Sequence, residues 1–467
     1  MMVIKLISSV AFIYFFLSSI QAQIVLPSIF NDHMVLQQKS DIQIWGWSKT
    51  TEPVKVICSW QNDTLTTAGD YKGDWKVTTH TPIAGGPYTI EFIGYNHIIL
   101  KDILIGEVWL CAGQSNMEWS ASAGIDGGEE AIRNANQPQI RFFNVSHQTA
   151  SSPQNDLRGN WQTCTPETMK YFSAVAYFFG KKISDSLNVP IGLIESAWGG
   201  TPAETWVSES TIKNNLVLSD AYSKLVQEPW GPIEPGLIYN AMILPLHKTR
   251  IAGAIWYQGE SNIRNASTYD HLLSALIRNW REQWGYQFPF YYVQIAPFNY
   301  GPGIDGVLIQ DSQRKVLKVL GTGMVVTNDI GNPDNLHPPA KKAVGDRLAL
   351  WALHETYQQK EIDYSGPIYS GMSIEENSIR IHFDHAGPKL ISAKEVLDDF
   401  TIAGTDQKFY PATAIIDGPT IIVTNSLVKK PVAVRFAWNN GAVPRLFNSA
   451  GLPASCFRTD DWKVTEN

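Results

Sequence analysis

Three short apolar runs in this chain each end in a cluster of reactive or polar side chains, and that repeated arrangement restricts the fold more than any other feature. Val108-Trp109-Leu110-Cys111-Ala112 runs into Gly113-Gln114-Ser115-Asn116. Ile251 to Ile255 runs into Trp256-Tyr257-Gln258-Gly259-Glu260-Ser261-Asn262, and Met324-Val325-Val326 precedes Asp334-Asn335-Leu336-His337-Pro338. A short apolar run bounded by turn residues reads as a buried strand. Residues at the carboxyl ends of parallel strands share one edge, where open α/β sheets place their ligands. Each cluster by itself is an ordinary turn or helix cap. Together they offer a hydroxyl, an imidazole, carboxylates and amide donors, the set that acyl transfer requires.

The pattern changes twice along the chain. Residues 23–104 read as strands separated by turns, among them Ile42-Gln43-Ile44-Trp45, Val54-Lys55-Val56-Ile57 and Tyr88-Thr89-Ile90-Glu91-Phe92, with turn signals at Lys72-Gly73 and Gly85-Gly86-Pro87. This predicts an N-terminal antiparallel β-sandwich. Residues 105–357 alternate short apolar runs with helical periodicity at Tyr171–Leu187, Tyr269–Trp284 and Lys341–His354. Strands are expected at Ile140–Phe143, Ile191–Ile194, Ile251–Trp256 and Phe290–Ile295. That alternation predicts a three-layer α/β domain on a parallel sheet. Strand patterns return in residues 358–467, as in Ile379–Phe383 and Thr420–Val423, and predict a C-terminal antiparallel β module.

A chain of 467 residues exceeds the ~250–300 that one hydrophobic core serves, so several domains are expected. Lys5 followed by the apolar stretch Val10–Leu17 and then Ser18-Ser19-Ile20-Gln21-Ala22 predicts a secretory signal peptide over residues 1–22, cleaved after Ala22. The stretch is shorter than the ~20 residues of a spanning helix, so no stable membrane insertion is expected. Export would place the protein in a periplasm or outside the cell, or in a lysosomal or secreted pool in a eukaryotic host. There the sequons at Asn62, Asn144 and Asn265 would become glycan acceptors. A net charge of −7 without a basic stripe excludes nucleic acid as the partner class. Cys58, Cys111, Cys164 and Cys456 do not define a pairing, although Cys111 lies inside an apolar run and reads as a buried thiol. No Cys-x-x-Cys or His-Glu-x-x-His spacing occurs, so neither a metal nor an organic cofactor is expected.

Five stretches, over almost the whole chain after Gln23, carry a resemblance to a known family: Gly106–Trp119, Ser196–Trp206, Trp256–Asn262, Asp334–Pro338 and Phe457–Trp462. On these the chain resembles the sialate O-acetylesterase-type SGNH hydrolases, relatives of the GDSL esterases. The resemblance implies an SGNH-hydrolase domain in which the serine after the first strand is the nucleophile. The absence of any Gly-x-Ser-x-Gly elbow agrees with this and disfavours an ordinary α/β-hydrolase.

Ser115 is therefore the candidate nucleophile and His337 the candidate base. Asp334, three residues before His337 on the same turn, is the candidate carboxylate that orients it. The oxyanion donors are expected to be the backbone N–H of Ser115, a backbone N–H at Gly199 or Gly200, and a side-chain amide from Gln258 or Asn262. Gln258 is favoured because it ends its strand. Many SGNH enzymes carry Gly-x-Asn-Asp at this third block, and here Asn262 lies out of that register. Gln114, Asn116, Glu204 and Glu260 are placed on the substrate side, with Trp119, Trp198 and Trp206 as sugar platforms; Asp329 is a further carboxylate near the edge. The expected function is a secreted serine esterase that removes O-acetyl groups from a sugar or glycan. Acetylxylan or other polysaccharide acetylesterase activity, broad carboxylesterase activity and a non-catalytic carbohydrate-binding protein are the alternatives.

Overall fold

The long strand His97–Gly113 organises the molecule. Its second half is buried on both faces and alternates between two cores. Val108, Leu110 and Ala112 join one hydrophobic cluster, whereas Trp109 and Cys111 join another. This is the period-2 geometry of a strand sandwiched between helix layers. The computed structural model describes residues 23–463; the expected signal peptide lies outside them.

The central sheet runs in the order Thr322–Val325, Phe290–Val293, Gly253–Tyr257, His97–Gly113, Ile191–Ala197, Gln137–Asn144 and Trp161–Cys164. All neighbours are parallel except the last, Trp161–Cys164, which closes the edge antiparallel. Helices Ala174–Leu187 and Lys341–Trp351 cover the Trp109 face, while Tyr269–Trp284 and Asp305–Lys315 lie on the other. The predicted α/β domain is present, with the helix expected at Tyr269–Trp284 at its expected bounds. The helix Asp305–Lys315 went unread because its polar residues Gln310, Asp311, Ser312 and Gln313 are themselves buried, which erases the amphipathic pattern.

N-terminal strands pair continuously into the central sheet. Pro53–Cys58 pairs with Thr64–Ala68 and with Gly85–Ile93, and the latter pairs antiparallel with the first half of His97–Gly113. The expected boundary between residues 104 and 105 therefore falls within one continuous strand. The C-terminal module contains two four-stranded antiparallel sheets around its own core, which includes Phe400, Val434, Phe436 and Phe457. It docks on the helix Asp305–Lys315, where Asn440 Oδ1 accepts from Gly306 N at 2.9 Å and Gln294 Nε2 donates to Ser455 Oγ at 2.9 Å. All four cysteines are buried free thiols.

Gly113 ends the central strand at φ +144°, and a Cβ there would lie 2.2 Å from the carbonyl oxygen of Tyr257. Only glycine permits both the conformation and the approach. Gly113→Ala is expected to cost about 1–3 kcal/mol of stability, read as a lowered urea midpoint, together with a loss of turnover from misplacing the next turn.

Candidate active site

The sheet register lines up the three strand ends that the sequence singles out, with Trp256 level with Tyr292 and Tyr292 level with Met324. Gly113 lies level with Ala197 on one side and Tyr257 on the other. Two backbone bonds pin the turn that follows: Gln114 N donates to Tyr257 O at 3.0 Å and Trp198 N donates to Gly113 O at 3.0 Å. Ser115 then opens the short helix Ser115–Glu118, half-buried, with its hydroxyl over the sheet edge.

His337 reaches it from the loop after the strand Thr322–Val325. Its Nε2 lies 2.9 Å from Ser115 Oγ. The loop is held by its own asparagines: Asp334 N donates to Asn332 Oδ1 at 2.9 Å, and His337 N donates to Asn335 Oδ1 at 2.9 Å. Trp119 is not an open sugar platform. Its ring stacks on the His337 imidazole, centroids 4.1 Å apart and planes within 12°, so it fixes the plane of that ring.

The expected contact between Asp334 and His337 is not made in this resting arrangement. Asp334 is exposed, and its Oδ1 accepts from Asn299 Nδ2 at 3.3 Å; no hydrogen bond or ion pair joins it to His337. Burial, and then the positive charge of Lys341, push the His337 pKa below the ordinary histidine value. A base must be neutral to accept the serine proton, and a lowered pKa keeps it neutral further into acid. The acid limb of the kcat/KM profile is therefore expected below pH 6.5, the unperturbed value for histidine. A limb well above that pH would contradict the assignment.

A family model described as carbohydrate esterase, sialic acid-specific acetylesterase, matches residues 105–354. The chain belongs to this family. Human sialate O-acetylesterase is 29% identical to it over 479 aligned positions, covering 92% of this chain and 91% of that protein. The rat sialate O-acetylesterase is 30% identical over 406 positions, covering 73% and 75%. A carbohydrate acetylesterase from Xanthomonas citri, solved by crystallography, superposes with a TM-score of 0.86 at 38% identity, covering 94% of this chain and all of that one. The protein is accordingly a carboxylic ester hydrolase of the sialate O-acetylesterase type.

In this acetylesterase the remaining expected site residues divide sharply by burial. The Gln258 amide is spent inside the protein: Nε2 donates to Asn262 Oδ1 at 2.7 Å and to Thr201 O at 3.2 Å. Asn262 Nδ2 donates to Glu204 Oε2 at 2.7 Å, and its Oδ1 also accepts from Ala203 N at 2.9 Å. These buried residues brace the loop behind the glycines, and Gln258 has no amide hydrogen left for an oxyanion. Glu204 and Trp206 are buried as well, the indole N–H of Trp206 bonding Thr201 Oγ1 at 2.9 Å, so neither faces substrate. Burial pushes the Glu204 carboxyl above its usual range. Asp329 is taken by Arg347, at 2.6 Å.

Asn116 and Glu260 are structural in the same sense. Asn116 Nδ2 donates to Glu260 Oε1 at 2.6 Å and to Leu336 O at 3.1 Å, while its Oδ1 accepts from Lys341 Nζ. This buried brace joins the residue after Ser115 to the residue before His337. Burial lowers the Lys341 pKa to about 7 and raises that of Glu260, so both groups are drawn toward their neutral forms. Gln114 is buried too, accepting from Ser261 N at 3.3 Å.

Two functional neighbours escaped the sequence reading. Glu118 Oε2 accepts from Gly199 N at 2.7 Å, so a carboxylate occupies one of the expected oxyanion donors at rest. A Cβ on Gly199 would lie 3.2 Å from both Glu118 Oε2 and Ser115 Cβ, which puts that N–H beside the nucleophile. His147 holds the other oxygen of Glu118 at 3.0 Å and stacks on Trp198 at 4.3 Å; the Glu118 hydrogen bond raises its pKa. Glu118 lies in the stretch Gly106–Trp119, where its contacts depend on the fold, and no sequence pattern marks His147.

Proposed function

We propose that this protein is an exported serine esterase that removes O-acetyl groups from glycans, with Ser115 as nucleophile and His337 as base. The observation that carries the reading is the 2.9 Å approach of His337 Nε2 to Ser115 Oγ at the aligned strand ends. Ser115 Oγ attacks the acetyl carbonyl carbon and its proton passes to His337 Nε2. The carbon–oxygen bond to the sugar then breaks, His337 returns the proton to the sugar oxygen, and an acetyl-serine remains. Water attacks this ester as His337 takes its proton, the bond from the acyl carbon to Ser115 Oγ breaks, His337 returns the proton to Oγ, and acetate leaves. The carbonyl oxygen takes the N–H groups of Ser115 and Gly199, displacing Glu118, which keeps its bond to His147. Asp334 completes the set by leaving Asn299 and turning to Nδ1 as the imidazolium forms.

The substrate class comes from the relatives, whose names specify sialate O-acetylesterase and carbohydrate acetylesterase. Acetate release from acetylated sialic acid, acetylxylan and 4-nitrophenyl acetate tests it. Release from the nitrophenyl ester alone would leave a broad carboxylesterase. Export rests on the apolar stretch Val10–Leu17 and the small residue Ala22. A mature protein beginning at Gln23 in native material is the expected result, and an intact Met1 in a cytosolic fraction would refute it.

A further inference from the structure

The loop 223–236 builds an open cleft immediately beside Gly200. The cleft, of about 680 Å³, is lined by Trp198, Gln227, Glu228, Trp230 and Glu234, with Pro and Gly between them. Trp230 is 63% exposed, which is unusual for a side chain of its size. Its backbone is nonetheless fixed. Trp198 Nε1 donates to Trp230 O at 3.1 Å, and Gln227 Nε2 spans the turn to Glu228 O at 2.8 Å and Gly231 O at 3.0 Å. Gly200 sits at φ +73°, and a Cβ on it would lie 2.3 Å from Trp230 Cδ1, so the indole packs directly on the glycine turn. Gly199, the next residue back, is the one whose Cβ would touch Ser115. A large exposed ring thus packs on the residue that follows the one abutting Ser115.

We propose that this cleft is a subsite for an uncharged oligosaccharide, with Trp230 stacking on a pyranose ring next to the acetylated one and Glu228 and Glu234 accepting from its hydroxyls. The proposal uses the esterase reading only to place the reacting acetyl group. An indole face matches the C–H face of a sugar ring, and carboxylates at its margin match the hydroxyls around it. The charge is equally informative. The lining residues include two carboxylates and no lysine or arginine. A sugar that itself carries a carboxylate would meet like charge here, which selects against it. The subsite therefore favours neutral glycan chains over sialic acids and over single sugars.

The test compares acetylated cellotetraose, acetylated xylotetraose, acetylated glucose, 9-O-acetyl-N-acetylneuraminic acid and 4-nitrophenyl acetate. The wild-type kcat/KM is expected to be highest on one of the two tetrasaccharides among the sugar esters. Trp230→Ala should lower the ratio of tetrasaccharide to nitrophenyl-ester kcat/KM by about tenfold, mainly through KM. The double variant Glu228→Gln/Glu234→Gln should raise activity on the sialic acid ester relative to the nitrophenyl ester. In parallel, unacetylated tetrasaccharides are titrated against the intrinsic tryptophan fluorescence, with the signal expected in the wild type and lost in Trp230→Ala. An unchanged ratio in Trp230→Ala, a preference for the sialic acid ester in the wild type, or no binding of either tetrasaccharide would overturn the subsite. Failure on every ester would instead sink the esterase reading, and the titration would still decide the subsite.

Discussion

Ser115→Ala is expected to abolish nearly all acetate release, by roughly 10³–10⁶-fold in kcat, while the protein remains folded. The two halves of this prediction have separate grounds. The catalytic half rests on the hydroxyl being the one atom that both reaches His337 Nε2, at 2.9 Å, and can form the acyl intermediate. The structural half rests on Ser115 being half-exposed at the start of a helix whose backbone is held by Gln114 and Tyr257 rather than by the serine side chain. The unfolding midpoint should therefore stay close to wild type. Serine-directed phosphonates should label the wild type and spare the variant. A variant that kept ordinary turnover would remove Ser115 from the mechanism and would return the site to the status of a binding cleft.

The parts of this architecture that were legible in the sequence are those where local pattern and tertiary environment agree. The run Val108–Ala112, buried on both faces, can only be a central strand, and the glycine after it marks the sharp turn that exposes Ser115. The three strand ends converge because parallel strands in register deliver their loops to one edge, a consequence of topology rather than of any single residue. What sequence could not deliver is direction. Gln258, Asn262, Glu204 and Trp206 sit within motifs beside the nucleophile, yet their side chains turn inward and satisfy one another. Lys341 opens a helix read from periodicity alone, and lysine is almost never fully buried without a partner. Its burial depends on Asn116 and Glu260, which come from two other loops. Near residue 104 one strand pairs with the N-terminal strands in its first half and with the parallel strands in its second, and alternation continues through the junction.

Asp334→Asn is expected to lower kcat by about 10²–10⁴-fold with little change in KM. At rest the carboxylate has little reason to seek His337. The imidazole is held neutral by burial and by Lys341, and a neutral ring attracts a carboxylate weakly. Its resting partner is an exposed, long bond to Asn299 at 3.3 Å, whose loss costs about 0.5–1.5 kcal/mol at most. Attack by Ser115 changes the balance, because the proton arriving at Nε2 makes an imidazolium, which a nearby carboxylate stabilises. A carboxylate three residues away on the same turn can then reach Nδ1 at small entropic cost. Asparagine keeps the shape and loses the charge, so the deficit should fall on the transition state and not on substrate binding. Asn299→Ala, which frees Asp334 at rest, should leave kcat equal or higher. Glu260→Gln should cost less in kcat than Asp334→Asn, because Glu260 bonds Asn116 and not the base. A loss below tenfold in Asp334→Asn would mean that Ser115 and His337, with the ring plane set by Trp119, carry the chemistry as a pair.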